Sequence, residues 1–301
     1  MDLSGIFPVL PTPFGADGAP DETALRRLVR YVVASGADGL TYPGVASEVA
    51  ELSADERRRL VASVQDELAG RRPFIAGISS IDVDTSIALG RHAQQRGAAA
   101  VMVAAPADRK EVAEQIAFFA TLADALPVPL MLQNVPPPAG AGLAPHTVIE
   151  ILRAVPAIAY VKEETIPSGQ RLTALRERAP QTLRGVFGGA GGRYVTDELR
   201  RGAAGSMPAV ELAEVHAALM AAHRAGDADG ARRIFTRMLP VLNVQAVFRW
   251  ALTKYVLRRR GLLAGTRQRA AGPALDDADR ADVDAFLDDI ADLLLAAEAI
   301  P

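Results

Sequence analysis

Residues Ala157–Gln170 read AIAYVKEETIPSGQ, and this stretch decides the fold. Ile158–Val161 is a short apolar run that ends on Lys162, and a helical pattern begins after Pro167. Apolar runs of this length, bounded by proline and followed by a helix, are typical of a buried strand in an α/β protein. The stretch therefore predicts a β-strand that carries a lysine at its carboxyl end.

Lysine is rare in this chain, which makes its position informative. Of 33 basic residues only Lys110, Lys162 and Lys254 are lysines, and the others are arginines. Arginine keeps its proton in proteins, whereas a buried lysine can lose its proton and attack a carbonyl carbon. Lys162 is therefore a candidate nucleophile. The alternative is a surface lysine or an ion-pair partner.

Composition restricts the classes of protein to which the chain can belong. With 301 residues, 50% of them hydrophobic, it can form one large domain or a domain with an appendage. A net charge of −3 gives no electrostatic footprint for nucleic acid or an anionic membrane, and the absence of cysteine excludes disulfides and thiolate metal sites. Without a basic amino-terminal region or a long apolar run, we expect a soluble cytoplasmic protein.

Strand and helix patterns alternate eight times over roughly the first 225 residues, which is typical of an α/β protein with a (β/α)8 TIM barrel. A doubly wound sheet is the alternative, but the count of eight and the lack of a G-x-G-x-x-G turn favour the barrel. The predicted strands are Gly5–Pro11, Gly39–Tyr42, Pro73–Ile78, Ala100–Ala104, Pro129–Leu132, Ile158–Lys162, Leu183–Phe187 and Gly205–Met207.

The last quarter of the chain is predicted to be entirely helical. Helical patterns cover Asp227–Leu239, Val241–Arg260 and Asp276–Ala297, and the polar segment Gly261–Pro273 connects the last two. We therefore predict a barrel over residues 1–225 and a C-terminal helical region over residues 226–301, packed against the barrel.

Active sites of such barrels lie at the carboxyl ends of the strands. In the loop Pro43–Glu48, backbone N–H groups and the Ser47 hydroxyl can hold a carboxylate, although an ordinary loop with Glu48 in an ion pair is equally compatible. Gly188–Gly192 can cradle a phosphate, but a spacious, flexible loop fits it better. Glu163 and Glu164 alternate across the strand end. One of them is expected to face the pocket as an acid or base, and the other to pair with an arginine.

No metal site is predicted, because no His, Asp or Glu group has the spacing of metal ligands. The four histidines all lie on predicted helices, where a structural or surface role is expected; they are His92, His146, His216 and His223.

Four motifs in order make the chain resemble the dihydrodipicolinate synthase / N-acetylneuraminate lyase superfamily of class I, Schiff-base aldolases and dehydratases. They are GVASE at Gly44–Glu48, QNVP at Gln133–Pro136, VKEET at Val161–Thr165, and Gly188-Gly189. The resemblance implies that Lys162 forms an imine with the C2 carbonyl of a 2-oxo acid, without a separate cofactor. It also implies that the Gly44–Glu48 loop holds the substrate carboxylate and that the protein is a homotetramer built from dimers.

Departures from the superfamily pattern indicate the subgroup. Val45 and Ala46 stand where the family's first loop usually has threonines, and Gln133 stands where its catalytic tyrosine is expected. Pro136–Gly140 lacks the arginine that dihydrodipicolinate synthases place there. The combination is most similar to L-2-keto-3-deoxyarabonate dehydratases.

The first hypothesis is therefore dehydration of a 2-keto-3-deoxy sugar acid through an imine on Lys162. Ala46 and Ser47 would fix the carboxylate and Gln133 would orient a hydroxyl or water, while Glu164, Tyr42 or a water would move protons. Gly188 and Met207, at two further strand ends, are expected to contact substrate.

Two other functions remain open from the sequence. The second hypothesis is a pyruvate-dependent aldolase, including synthase-like condensation, which uses the same imine but breaks or forms C3–C4. The third is a barrel that binds a 2-oxo acid without turnover.

Overall fold

The computed structural model describes residues 2–300 and contains one sheet of eight parallel strands. In chain order they are β1 (Gly5–Ile6), β2 (Leu40–Tyr42), β3 (Phe74–Gly77), β4 (Ala100–Ala104), β5 (Leu130–Asn134), β6 (Ile158–Glu163), β7 (Gly185–Gly188) and β8 (Gly205–Ser206). The order around the sheet is β1-β8-β7-β6-β5-β4-β3-β2. Neighbouring strands are therefore consecutive in the chain, except that β1 lies beside β8.

The barrel closes between β1 and β2 through residues just beyond β1. Val9 forms a parallel bridge with Thr41, and the Thr41 N–H donates to the Pro8 carbonyl at 2.9 Å. β1 is shorter than the predicted Gly5–Pro11 because Pro8 and Pro11 have no N–H to donate to a sheet. The predicted (β/α)8 TIM barrel is confirmed.

Eight α-helices surround the sheet, and each follows the strand of the same number. They are α1 (Glu22–Ala34), α2 (Ala54–Leu68), α3 (Val83–Gln95), α4 (Val112–Ala125), α5 (Pro145–Ala154), α6 (Ser168–Arg178), α7 (Val195–Arg200) and α8 (Ala213–Arg224). The predicted capping box at the start of α2 is present, since Ser53 and Glu56 exchange side-chain to backbone hydrogen bonds.

The barrel interior is filled with large side chains, so it is a packed core and not a pore. Phe7 and Phe187 meet edge to face there, with ring centroids 5.7 Å apart. Tyr160 on β6 contacts Phe187 and lies two residues before Lys162, so both side chains of β6 point inward. This layer forms the floor beneath Lys162.

Three further helices follow the barrel, and the first differs from the prediction. They are α9 (Ala228–Phe248), α10 (Trp250–Arg259) and α11 (Asp277–Asp288). A helix boundary at Pro240 was expected, but α9 continues through it, because Met238, Val241 and Leu242 are buried on both sides of the proline. The chain breaks instead at Arg249, whose φ is +45°.

The C-terminal helices share the hydrophobic core of the barrel's outer layer. One cluster of buried apolar side chains contains Val215 and Leu219 of α8 together with Met238 of α9 and Val256 of α10. The domain boundary predicted at residue 225 therefore stays a prediction, since apolar side chains from both sides of it pack in the same cluster. Within residues 2–300, no helix has the length and apolar character to cross a membrane.

Candidate active site

Lys162 lies on β6, at the carboxyl-end face of the barrel. Its neighbours in register are Gln133 on β5 and Phe187 on β7. The residue is 4% exposed, which places its amine in a protected environment at the end of the packed interior. A lysine in this position has the access to a cavity and the shielding from water that a nucleophilic amine requires.

Glu164 lies next to Lys162 on the same face of the strand end. Its Oε1 is 3.0 Å from Lys162 Nζ, and its Oε2 accepts a hydrogen bond from the Ala190 N–H at 3.0 Å. Burial alone would raise the pKa of the Glu164 carboxyl. The positive charge of Lys162 and the hydrogen bonds from Gln133 and Ala190 outweigh burial, so the pKa is lowered and the group is a carboxylate at neutral pH.

Gln133 holds Glu164 in place. Its Nε2 donates to Glu164 Oε1 at 2.6 Å, and the residue is 3% exposed. The expected role of Gln133 was to orient a substrate hydroxyl or a water. The structure places one of its amide N–H groups on the carboxylate beside the amine, where it fixes the rotamer of Glu164, and the expected role stays a prediction.

Glu163 faces the opposite side of β6, away from Lys162. Its carboxylate accepts hydrogen bonds from Asn134 Nδ2 and from the Thr165 N–H, each 2.8 Å long, and lies 3.3 Å from Arg171 Nε. Burial raises the pKa of Glu163, and these three partners only partly offset that. The two adjacent glutamates thus have separate roles, one beside the amine and one in the support behind the strand.

A cavity of about 120 Å³ opens above Lys162 and Glu164. Engineered apolar cavities of about 150 Å³ hold a molecule of the size of benzene, so this volume suits a small organic acid. Ala46 and Met207, both predicted to contact substrate, lie in its wall. The complete lining is Val9, Val45, Ala46, Lys162, Glu164, Ala190, Gly191, Arg193, Met207, Ala209, Gln245, Ala246, Arg249, Trp250 and Thr253.

The loop after β2 presents backbone to this cavity. Val45–Ser47 forms a short 3-10 turn whose first internal hydrogen bond runs from the Ser47 N–H to the Gly44 carbonyl, at 2.9 Å. The N–H groups of Val45 and Ala46 precede that bond and lie at the open end of the turn. Their position beside the cavity suits a carboxylate.

Ser47 lies behind this turn, with its side chain fully buried. Its hydroxyl accepts from the Gly44 N–H at 2.8 Å and donates to the Leu10 carbonyl. The expected extra donor for a carboxylate is therefore already used within the loop, and the hydroxyl holds the loop against the end of β1.

Tyr42 also lies in this supporting layer. Its hydroxyl is 2.9 Å from Thr12 Oγ1, and Thr12 in turn donates to the Ser47 carbonyl at 2.7 Å. Since the Thr12 hydrogen is used there, the tyrosine is the donor between them. Burial raises the pKa of the Tyr42 phenol, which keeps it neutral. The structure places this hydroxyl in the loop support and does not bring it into the cavity lining.

Gly188 and Gly189 allow two carboxyl groups to approach the end of β7. A Cβ on Gly188 would lie 1.7 Å from Glu198 Oε2, and one on Gly189 would lie 2.5 Å from Glu164 Cγ. Gly188, predicted to contact substrate, therefore makes room for Glu198 behind the site, and its neighbour makes room for Glu164.

The C-terminal helices complete the site, which sequence patterns did not predict. Trp250 Nε1 donates to the Val45 carbonyl at 2.8 Å, so α10 contacts the Val45–Ser47 turn. Lys254 pairs with Glu48 in full burial, and the Arg269 and Ala270 N–H groups donate to the other oxygen of Glu48, at 2.6 and 2.7 Å. This arrangement agrees with the alternative interpretation from the sequence, in which the Glu48 side chain forms an ion pair.

Other cavity residues lie outside the carboxyl ends of the strands. Arg193 follows the glycine-rich loop, and Gln245, Arg249 and Trp250 belong to the helical region. The one available signal was Trp250, the single tryptophan of the chain. Within residues 2–300 no three His, Asp or Glu side chains are arranged to hold a metal ion.

Fold and site together define a (β/α)8-barrel protein with a buried lysine–carboxylate pair at the end of its sixth strand. A family model described as the dihydrodipicolinate synthetase family matches residues 2–289. The chain belongs to this family, which confirms the superfamily inferred from the motifs and identifies the chain as a member of an enzyme family.

Individual relatives cover almost the whole chain. An L-2-keto-3-deoxyarabonate dehydratase from Azospirillum brasilense is 30% identical over 93% of this chain and 92% of its own length. The crystal structure of a dihydrodipicolinate synthase from Rhodopseudomonas palustris superposes with a TM-score of 0.88 at 28% identity, covering 95% of this chain and 97% of that one. YagE, a prophage protein of the same family from E. coli K12, was solved in complex with pyruvate. It has a TM-score of 0.88 at 25% identity, and covers 97% of this chain and 99% of its own.

Proposed function

We propose that this protein is a Schiff-base lyase that removes water from a 2-keto-3-deoxy sugar acid. The observation that carries the proposal is the Lys162–Glu164 pair, an amine and an ionised carboxylate 3.0 Å apart at the base of a small cavity. The dehydratase name of the Azospirillum brasilense relative and the pyruvate bound by YagE support it.

The first step joins the substrate to the enzyme. The lone pair of neutral Lys162 Nζ attacks the C2 keto carbon, and the C2 oxygen leaves as water to give a protonated imine. The two protons that the lysine ammonium loses reach the C2 oxygen through solvent water, so Glu164, whose Oε1 is within hydrogen-bonding distance of Nζ, stays a carboxylate beside the imine. No dissociable cofactor is required, since the lysine itself provides the electron sink.

The second step is elimination of water, in which the Glu164 carboxyl group can serve first as the base and then as the acid. The imine withdraws electrons from C2 and acidifies the C3 protons, and the Glu164 carboxylate takes one of them to give an enamine. The enamine electrons then expel the C4 hydroxyl, which leaves as water with the proton that Glu164 received. Proton shifts convert the C5 alcohol carbon into a carbonyl group, which is an aldehyde when C5 ends the chain, and hydrolysis of the imine releases the product and the free amine.

Other residues bind and orient in this scheme. The N–H groups of Val45 and Ala46 hold the substrate carboxylate at the open end of their turn, while Ser47 and Tyr42 stabilise that loop from behind. Gln133 keeps Glu164 Oε1 directed towards the amine. Met207 forms part of the apolar wall.

An aldolase is the second candidate, because Glu164 has the position to act on a C4 hydroxyl as well as on a C3 proton. Cleavage would deprotonate that hydroxyl and break C3–C4. The synthase name of the Rhodopseudomonas palustris structure supports this alternative. The products differ: water loss from a 2-keto-3-deoxypentonate yields a semialdehyde, whereas cleavage yields pyruvate and a two-carbon aldehyde.

Borohydride reduction tests the proposal directly. With pyruvate and borohydride, the intact mass is expected to rise by one reduced adduct, which peptide mapping places on Lys162, and Lys162→Ala is expected to form none. Absence of an adduct in the unsubstituted protein would leave only the non-catalytic barrel that binds a 2-oxo acid. Chromatography of the products from the pentonate then distinguishes dehydration from cleavage.

We further propose assembly as a homotetramer built from two dimers. Exposed apolar side chains support self-association, because Ile81 is 76% and Ile166 62% exposed in the single chain. Light scattering coupled to gel filtration is expected to give four times the chain mass of 31.8 kDa. A monomeric mass at micromolar concentration would contradict this assembly.

A further inference from the structure

Two arginines line the cavity, and the proposed dehydration uses neither. Arg193 follows the glycine-rich loop after β7, and Arg249 joins α9 to α10. Together with Lys162 they give the lining three cationic side chains against one carboxylate, Glu164. The carboxylate next to the keto group of the substrate balances only part of this excess.

The contacts of both arginines are with neutral groups. Arg193 NH1 donates to Gln245 Oε1 at 3.1 Å, and the Arg249 guanidinium lies 5.5 Å from the centroid of the Trp250 ring. Within residues 2–300 neither forms an ion pair with a carboxylate, whereas Arg171 and Arg201 elsewhere on the barrel do. Two guanidinium groups in a cavity wall without a protein counter-ion have N–H donors that can bind a ligand anion.

The geometry around Arg193 favours this reading over a loosely placed surface side chain. Gln245 is itself part of the cavity wall, and its Oε1 holds one guanidinium nitrogen. A Cβ on Gly191 would lie 3.2 Å from Arg193 NH1 and 2.6 Å from Gln245 Oε1, so the glycine leaves room for that pair. The fork is therefore oriented before any ligand binds, and its remaining N–H groups are available.

Arg249 occupies a backbone conformation that L-residues rarely adopt, with φ +45° and ψ −112°. A non-glycine residue in such a region costs of order 1–3 kcal/mol and is found most often at functional sites. Glycine would relieve the strain but would remove the guanidinium. This conformation also ends α9 and directs Trp250 towards the Val45 carbonyl.

We propose that the substrate carries a second carboxylate at the end remote from its keto group, bound by Arg193 and Arg249. This inference rests on the proposed function and refines its substrate class to a 2-oxo-3-deoxy dicarboxylic sugar acid. The amine and Glu164 act at C2 to C4, and the two arginines bind the far end. A distal hydroxymethyl group would leave both cations without a partner.

The test measures imine formation, which is independent of water loss. Lys162 adducts are trapped with borohydride over a range of concentrations of length-matched acids: 2-oxoglutarate against 2-oxopentanoate, and 2-oxoadipate against 2-oxohexanoate. At least one dicarboxylate is expected to reach half-maximal trapping at a concentration about 10- to 100-fold below that of its monocarboxylate, because hydrogen bonds to charged groups contribute this much.

Variants then assign the preference to the two arginines. Arg193→Gln with Arg249→Gln is expected to remove the preference for dicarboxylates, and the ratio of half-maximal concentrations within each pair of acids cancels any general change in the site. Arg249→Lys, which keeps the charge but loses the fork, is expected to retain part of it. Arg233→Gln is the matched control, since Arg233 lies on α9 with its side chain 69% exposed, and it should retain the full preference.

The outcomes separate the two proposals. Equal trapping of the paired acids, or a preference that survives in the double variant, overturns the distal carboxylate site and leaves the Schiff-base lyase intact when pyruvate still forms its adduct. If no 2-oxo acid forms an adduct, pyruvate included, the proposed lyase function is overturned, and so is the proposed dicarboxylate substrate. Circular dichroism of each variant checks that the fold is unchanged.

Discussion

Replacing Glu164 by glutamine separates imine formation from proton transfer. The amide has nearly the volume of the carboxylate and stays beside Lys162, but it can neither accept a proton from C3 nor return one to the C4 hydroxyl. Glu164→Gln is therefore expected to form the borohydride adduct with pyruvate and to lose most of the dehydration rate. An unchanged adduct with a reduced rate is the signature of a group that acts after the imine.

The size of the effect follows from the contacts of Glu164. Loss of a positioned general acid–base reduces the rate by about 10²- to 10⁴-fold, equivalent to about 3 to 5 kcal/mol of transition-state stabilisation. Stability changes less. Gln133 Nε2 and the Ala190 N–H both donate to the carboxylate, so the new amide must direct its NH₂ at one of these donors or at the lysine. One such mismatch costs about 1–3 kcal/mol.

The assay compares kcat for water loss, followed by semialdehyde formation, with the extent of trapping by pyruvate. A pH profile adds a second readout. The pKa of Glu164 is lowered from its ordinary value of 4.5, so the carboxylate persists as the pH falls through that value. The acid limb of kcat in the unsubstituted enzyme, which reports groups in the enzyme–substrate complex, is therefore expected below pH 4.5, and it should be absent from the residual rate of Glu164→Gln.

Glu163→Gln provides the control at the neighbouring position. Glu163 contacts Arg171, Asn134 and Thr165 behind the strand, so its replacement is expected to lower the melting temperature and to leave kcat within a few fold. A Glu164→Gln enzyme that dehydrates at the original rate would refute the assignment of proton transfer to this carboxyl. Equal losses of kcat in both variants would point to general damage of the strand end.

Three further predictions concern the support of the site. Lys254→Met removes one partner of the buried pair with Glu48 and is expected to lower the free energy of unfolding in urea by about 3–5 kcal/mol; a loss below 1 kcal/mol would show that the pair is dispensable. Gly188→Ala, whose Cβ would lie 1.7 Å from Glu198, is expected to cost about 1–3 kcal/mol, whereas Gly265→Ala, with open space around it, should change stability little. Burial raises the pKa of Glu198 to about 7, so its protonated form stabilises the fold fully below pH 4.5 and that contribution is lost as the pH rises to about 7. Glu198→Gln should therefore gain roughly 3 kcal/mol relative to the unsubstituted protein between pH 4.5 and pH 8, measured by urea unfolding, and a constant difference would contradict this.

The barrel and the position of its lysine were predictable because both depend on local patterns. Ile158–Val161 is apolar and is followed directly by Lys162, and the position of the lysine at the strand end fixes it at the carboxyl-end face. The opposite orientations of Glu163 and Glu164 likewise follow from the two-residue period of a strand.

The remainder of the site depends on contacts between distant parts of the chain. Nothing near Ser47 indicates that its hydroxyl binds the Leu10 carbonyl, which lies 37 positions earlier. Trp250 contacts Val45 across 205 positions, which no local pattern encodes. The helix end predicted at Pro240 was wrong for a related reason. Proline indicates a helix end locally, but burial of its neighbours against the barrel outweighs the lost hydrogen bond.

The buried contact between Glu48 and Lys254 has a consequence for protein engineering and for divergence within the family. An ion pair whose members lie 206 positions apart joins the turn that faces the cavity to the helix that covers it. A chimaera that took its barrel from one homologue and its C-terminal helices from another would need a compatible pair at these two positions. Where only one parent has it, an unneutralised charge would be buried beneath the cavity, so the two segments are expected to be inherited together.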